Sequence, residues 1–285
     1  MQKRGFFNKG NMEFWIVTWN VNFSARAVEK YKEFSFEHRK KYILANLRSF
    51  QEKADAVIFL LQEVMPEYID ALATVFPSDF YSVYTKEIHP SGRMLYTAVP
   101  VSLCVVPAAP NVIPLIDGNT RDCWDVFCAK EELYIVNLHA PMDTQFRLPI
   151  CQHVASKLKT RNVIIAGDLN TFSDSDGLVQ VQMMERTGLR DVSSTLLRAT
   201  VGSPTFEPSR PYARVLETFD PYPYDSVPRD NPEFFPFNLD HIFASTGIET
   251  GPVLCYDQER DVIFEGKNYG NSDHFALSCK ILYKK

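Results

Sequence analysis

Val163-Ile164-Ile165-Ala166-Gly167-Asp168-Leu169-Asn170 decides how this chain is read. The apolar run Val163 to Ala166 reads as a buried strand, and the strand ends in a carboxylate and a carboxamide two residues apart. Alternate side chains on a strand share a face, so Asp168 and Asn170 leave its end on one side. Oxygen ligands grouped this way suit a hard divalent cation and phosphate chemistry. Far away in sequence, Ser272-Asp273-His274 adds a further carboxylate and an imidazole that can donate to a phosphoryl oxygen.

Other segments repeat the pattern. Trp15 to Asn20 reads as a strand ending in Asn20, and Val57 to Leu61 as a buried strand ending in Gln62-Glu63-Val64. Tyr134 to His139 ends in His139, and Asn238-Leu239-Asp240-His241-Ile242-Phe243 carries Asp240. A single polar residue at a strand end is an ordinary cap or turn group. Six segments that each deliver Asn, Glu, His or Asp point instead to one shared site at the ends of the strands.

This ordered set resembles the endonuclease/exonuclease/phosphatase superfamily, whose fold is that of deoxyribonuclease I. The resemblance runs from Thr18-Trp19-Asn20 through Leu61-Gln62-Glu63-Val64, Asn137-Leu138-His139 and Gly167-Asp168-Leu169-Asn170 to Ser272-Asp273-His274. It implies an α/β four-layer αββα sandwich: two mixed β-sheets between outer helices, with a divalent-metal phosphohydrolase site at one edge. In the roles it implies, Glu63 is the principal metal ligand, assisted by Asn20 and Asp273, with Mg²⁺ or Mn²⁺ as the ion. Asp168 orients and deprotonates the attacking water, and Asn170 donates to the phosphorus centre. His139 and His274 donate to non-bridging oxygens, and Asp240 accepts from the other ring nitrogen of His274. Residue types fit these tasks independently. Many relatives carry Asp two residues after the first motif Asn; here that position is Asn22, a weaker ligand for a hard cation.

Composition suits a soluble enzyme. The 285 residues are 45% hydrophobic, and motifs spread from residue 18 to residue 274 argue for one catalytic domain over 12–285 behind a flexible tail over 1–11. A net charge of −5 offers no global positive field for nucleic acid, though a local patch can serve. Lys3-Arg4 and Arg39-Lys40-Lys41 read as a solvated tail and a solvated helix face. The six cysteines lack CxxC spacing, and several sit in apolar strand contexts. They read as reduced, buried thiols in a reducing compartment, with disulfides in a secreted enzyme as the rival. Residues 1–9 carry no apolar signal segment, and prolines at 100, 107, 110 and 114 make the apolar stretch from Ala98 to Ile116 strand and loop. An intracellular protein, cytoplasmic or nuclear, monomeric and without a transmembrane segment, is the expectation.

Periodicity places helices on Phe36, Ile43, Leu47 and Phe50, and after Pro66 on Ile69, Leu72 and Phe76. Two more fall on Ile150, Val154 and Leu158, and on Leu178, Val181 and Met184. Further strands read over 80–85, 94–106, 123–128, 132–138, 239–244 and 275–283. From Val201 to Asn238 the chain holds eight prolines and eight aromatics with no regular pattern. This long loop either walls the cleft, offering Phe206, Tyr212 and Tyr222 to a base or a lipid, or is self-packed surface. His38, His89, His153 and His241 read as structural, His241 because it faces away from its neighbour Asp240.

The motifs point toward substrates less sharply. Gln62-Glu63-Val64 departs from the Gln-Glu-Thr of abasic-site endonucleases, and Leu239-Asp240-His241 from the Cys-Asp-Arg of inositol-polyphosphate 5-phosphatases. Thr18-Trp19-Asn20-Val21, Leu61-Gln62-Glu63-Val64 with Pro66, and Leu239-Asp240-His241-Ile242-Phe243 most resemble the type-2 tyrosyl-DNA phosphodiesterase branch. That resemblance implies a phosphodiester at a nucleic-acid 5′ end. Leu169 stands where that branch has Thr. A sphingomyelin- or phosphoinositide-directed enzyme, with phospholipid as its partner, is the alternative. A catalytically silent binding scaffold is the reading of another class; degenerate members typically lose the base or the terminal His, and Asp168 and His274 are both kept.

Overall fold

The computed structural model describes residues 11–21, 36–87, 92–103, 106–107, 123–128, 133–140, 162–169, 188–193, 196–200, 240–257, 262–264, 267–269, 274 and 276–284. Its strands are β1 (Asn11–Asn20), β2 (Val57–Val64), β3 (Tyr81–Glu87), β4 (Met94–Pro100), β5 (Val106–Pro107), β6 (Cys123–Cys128), β7 (Leu133–His139) and β8 (Asn162–Asp168). They continue as β9 (Leu189–Asp191), β10 (Leu196–Thr200), β11 (Asp240–Ser245), β12 (Glu249–Asp257), β13 (Val262–Phe264), β14 (Lys267–Tyr269) and β15 (Ala276–Lys284). The helices are α1 (Phe36–Lys53) and α2 (Ile69–Val75), the latter preceded by a 3₁₀ turn over Pro66–Tyr68.

One sheet has seven strands in the order β10-β12-β15-β1-β2-β4-β3; a second has six in the order β5-β6-β7-β8-β11-β9; β13 and β14 form a separate ribbon. Both large sheets are mixed: β1 runs parallel to β2 but antiparallel to β15, and β7 parallel to β8, which is antiparallel to β11. They pack face to face through one apolar core. Phe14 and Ile16 of β1 and Ile58 and Leu60 of β2 meet Leu133 and Ile135 of β7, Ile164 and Ala166 of β8, and Ile242 and Ala244 of β11. The opposite face of the first sheet carries the helices, with Val17, Trp19, Phe59 and Leu61 buried among Ile43, Leu47 and Phe50 of α1 and Leu72 and Val75 of α2. The spacing of those α1 residues is the apolar stripe expected of a helix lying on a sheet. Glu37 in its first turn and Lys53 in its last complement the helix dipole. Two mixed sheets and a helical layer follow the sandwich expected from the motifs.

Two expectations need adjustment. The strand over 94–106 ends at Pro100, gives way to a 3₁₀ turn at Val101–Leu103, and only a two-residue bridge follows at β5. Proline donates no ladder hydrogen bond and so closes the strand. Pro66 opens a 3₁₀ turn that becomes α-helical at Ile69. Strands β9, β10, β12, β13 and β14 had no expectation at all. The helices expected around Val154 and Val181, and the loop over 201–238, lie outside the described residues. Among the described residues no helix is long and apolar enough to cross a membrane.

The sandwich positions the site through the period-two rule. Along the face that β1, β7, β8 and β11 turn to the opposite sheet, residues stay apolar until the row reaches one edge, where they become polar. The rows run Phe14-Ile16-Thr18-Asn20, Leu133-Ile135-Asn137-His139, Ile164-Ala166-Asp168 and Ala244-Ile242-Asp240. Register then lines up His139, Asp168 and Asp240 across the second sheet, and Asn20 beside Gln62 in the first.

Candidate active site at one edge of the sandwich

Asp168 Oδ2 is the point on which the polar row ends converge. Asn20 Nδ2, from the other sheet, donates to it at 2.9 Å. His139 Nε2 lies 3.5 Å and His274 Nε2 3.7 Å from the same oxygen. The far nitrogen of His274, Nδ1, sits 2.8 Å from Asp240 Oδ2, so carboxylate, imidazole and carboxylate form a line. A buried imidazole held at one nitrogen by a carboxylate is fixed in orientation and tautomer. All of these side chains are buried: Asn20, His139, Asp168, Asp240 and His274 are each 4% exposed or less. Trp19 anchors the arrangement from the helical side by donating its indole N–H to the His274 carbonyl at 3.0 Å.

Glu63 reaches the site by a different route. Strict alternation after Ile58, Leu60 and Gln62 would turn Glu63 toward the helices. Between Leu61 and Val64 the pairing with β4 slips, three steps on β2 matching two on β4, so β2 carries a bulge. Val64 accordingly joins Leu61 in the helix-side core. Glu63 itself has φ 57, a left-handed conformation rare outside glycine. Its Oε1 lies 3.6 Å from His139 Nε2, and its Oε2 accepts from Arg93 Nη1 at 2.7 Å. Strain of this kind persists where surrounding structure over-determines it, commonly at functional carboxylates.

Below the site a layer of buried amides ties the sheets together. Gln62 Nε2 donates to Asn137 Oδ1 at 2.7 Å and to Thr18 Oγ1 at 3.1 Å. Asn137 Nδ2 donates in turn to the carbonyls of Leu61 and Tyr96 and to Thr97 Oγ1. Polar groups buried in an apolar core are tolerated only when paired in this way. Gly167 permits the close approach of β7 and β8: a Cβ there would lie 1.8 Å from the Leu138 carbonyl oxygen.

Of the residues singled out in the sequence, Asn20, Glu63, His139, Asp168, Asp240 and His274 stand at this one edge. Asn170, Asp273, Asn22, Phe206, Tyr212 and Tyr222 lie outside the described residues. His241 faces away from the site, buried and 3.2 Å from Asp191 Oδ2. Sequence reasoning assigned no part to Trp19, Gln62, Asn137 or Arg93. Three of those four sit inside quoted motifs, so their place in the pattern was a usable signal; Arg93 had none beyond following Gly92.

The donor set fits a hard divalent cation. Three buried carboxylates and a carboxamide share one edge, and oxygen donors grouped in this way suit such an ion. Asp168, Asp240 and His274 offer ligand atoms within 4.8 Å of one another. His274 Nδ1, however, already engages Asp240 at 2.8 Å, while its Nε2 faces Asp168 at 3.7 Å. Glu63, with oxygens directed into the site from a bulge, is the better anchor for an oxygen-seeking ion.

Comparison with known proteins agrees with this architecture. The Endonuclease/Exonuclease/phosphatase family model matches residues 17–274. An endonuclease/exonuclease/phosphatase from Bacteroides vulgatus superposes with a TM-score of 0.65 at 14% identity, covering 96% of this chain and 100% of that one. D. rerio TDP2 complexed with a single-strand DNA product gives 0.61 at 18% identity over 94% of this chain and 98% of that one. A mannosyl-6-phosphatase from Bacteroides thetaiotaomicron gives 0.63 at 15% identity, over 94% and 99%. Identities this low establish likeness of fold. No curated protein matches the chain in sequence. The family match opens within β1, takes in every polar row end and closes at His274: the chain belongs to the endonuclease/exonuclease/phosphatase family.

Proposed function

We propose that the chain is a Mg²⁺-dependent phosphodiesterase that cleaves a phosphoester by in-line attack of water, acting at a nucleic-acid 5′ end. The family is one of hydrolases acting on phosphoesters. The observation that carries the proposal is the convergence of Asn20, His139 and His274 on Asp168 Oδ2, with Asp240 behind His274.

Roles follow from that geometry. Asp168 is faced by three nitrogen groups, which hold it in place to take a proton from water. His274, backed by Asp240, and His139 direct N–H groups toward the space where non-bridging oxygens gather charge. Asn170, two residues beyond Asp168, supplies a further amide donor there. A divalent cation held through Glu63, with Asn20 and Asp273 beside it, supplies Lewis-acid polarisation of the phosphoryl group when bound. Phe206, Tyr212 and Tyr222 contribute stacking surfaces to the substrate.

The nucleic-acid end is supported by the motif resemblance and by the fold likeness to a TDP2 bound to a DNA product. The sugar-phosphatase neighbour makes a phosphomonoester a necessary comparison. The deciding experiment offers a 5′-tyrosyl oligonucleotide, sphingomyelin vesicles, phosphoinositide vesicles and mannose 6-phosphate in parallel, with Mg²⁺. Turnover of the oligonucleotide above the others is expected. Turnover of lipid or sugar phosphate alone would overturn the substrate while leaving the chemistry. Silence on all four, from a folded chain that binds metal, would favour the scaffold reading.

A further inference from the structure

Glu63 has a partner that no step of the proposed hydrolysis uses. Arg93 Nη1 lies 2.7 Å from Glu63 Oε2, with the Arg93 side chain 22% exposed and that of Glu63 10%. Specialised backbone builds the pair from both sides. Gly92 has φ +80, and a Cβ added to it would sit 3.1 Å from Pro66 Cγ. Glycine there lets the chain enter β4 tight against the segment leaving β2, which delivers Arg93 to the bulge. Glu63 is the one non-glycine residue with positive φ among the described residues. A guanidinium remains charged at every working pH and offers its donors to a carboxylate in a fixed plane. A divalent cation approaching Glu63 therefore meets a carboxylate already neutralised, and a like charge beside it.

We infer that Arg93 competes with the divalent cation for Glu63 and so sets how tightly the site binds metal. This rests on Glu63 being the metal ligand. Removing the guanidinium leaves both carboxylate oxygens and the full negative charge to the ion, so binding tightens. It also leaves a largely buried carboxylate without its counter-charge, so the metal-free protein loses stability. A purely orienting Arg93 would act in the opposite sense, because a loosened Glu63 would bind metal more weakly.

The test is Mn²⁺ binding to the full chain by calorimetry, with melting temperatures measured with and without Mn²⁺, for wild type, Arg93→Gln, Arg93→Met and Glu63→Gln. Arg93→Gln is expected to bind Mn²⁺ roughly tenfold more tightly, to melt lower without metal, and to gain more from it. Arg93→Met, which keeps the packing of the stem, carries the same expectation should Arg93→Gln fold poorly. Equal or weaker Mn²⁺ binding by a folded Arg93 variant overturns the competition. If Glu63→Gln binds Mn²⁺ as wild type does, the assignment of Glu63 itself falls. Loss of binding in Glu63→Gln with no tightening in the Arg93 variants sinks the competition alone.

Discussion

Gly167 and Asp168 are neighbours with opposite demands on the chain. Gly167 sits at φ +152 with the Leu138 carbonyl where a Cβ would be, so nothing larger fits without parting β7 from β8. Gly167→Ala is expected to cost more than about 4 kcal/mol in urea unfolding, the range of severe core and backbone defects. A loss under about 1 kcal/mol would mean that the strands separate easily. Asp168, by contrast, stands where four polar side chains meet, and its replacement tests chemistry before stability. Its position was legible because the rows ending in Asn20, His139 and Asp168 follow simple alternation, and the residues at their ends are chemically distinctive. Glu63 was named as a ligand, yet the conformation that brings it to the site was not legible. Counting alternate residues along β2 sends it to the helices, and only the slipped register with β4 reveals the bulge. Arg93 was invisible for the related reason that a lone arginine after a glycine says nothing about which strand it will approach.

At the scale of elements, β11 carries chemistry on one face and structure on the other. Asp240 turns toward His274, while His241 turns outward into a buried cluster with Asp191 and Ser193. Ser193 Oγ donates to Asp191 Oδ1 at 2.5 Å, and His241 Nδ1 lies 3.2 Å from Asp191 Oδ2. Burial pushes the Asp191 carboxyl up, but hydrogen bonds from His241 and Ser193 and the charge of His241 outweigh it and hold the carboxyl below its usual 3.8. A carboxyl depressed in the folded state stabilises the fold above its unfolded value and loses that contribution as pH falls through the folded one. Asp191→Asn is therefore expected to lower the melting temperature at neutral pH and to narrow that gap below about pH 4. A gap that stays constant down to pH 2 would remove Asp191 as its source. On the facing sheet, burial pushes the Cys279 thiol up to about 12, against a weaker pull from the charge of Arg190. Cys255 is also buried. Iodoacetamide at neutral pH should leave both unmodified in the folded chain and modify both in denaturant, read by peptide mass spectrometry. Fast alkylation of either under native conditions would mean that β12 and β15 open readily. These two strands also illustrate what sequence pattern misses. β15 alternates cleanly and was expected almost to the residue, whereas β12 holds Gly251-Pro252 at a slip in its pairing, and the interruption hides the strand.

The two sheets form one site because the facing rows of β1, β7, β8 and β11 end at the same edge. Burial of the apolar row members fixes how the sheets face each other, and the Gln62–Asn137 amide pair ties them just beneath the polar ends. The fold class was legible because the motif strands repeat one design at long sequence intervals. Short β9 and β10 were not, because three- and five-residue strands carry too little pattern. On the proposed function, this edge hydrolyses phosphoesters with a metal held by carboxylates and with Asp168 as base. The most direct measurement is the turnover of bis(p-nitrophenyl) phosphate by wild type and Asp168→Asn, each with Mg²⁺, after chelation by EDTA, and after Mg²⁺ is restored. Turnover by the wild type is expected to stop with EDTA and return with Mg²⁺, and to fall at least about 100-fold in the variant. Turnover that survives chelation, or an Asp168→Asn protein as active as the wild type, would contradict the proposed function.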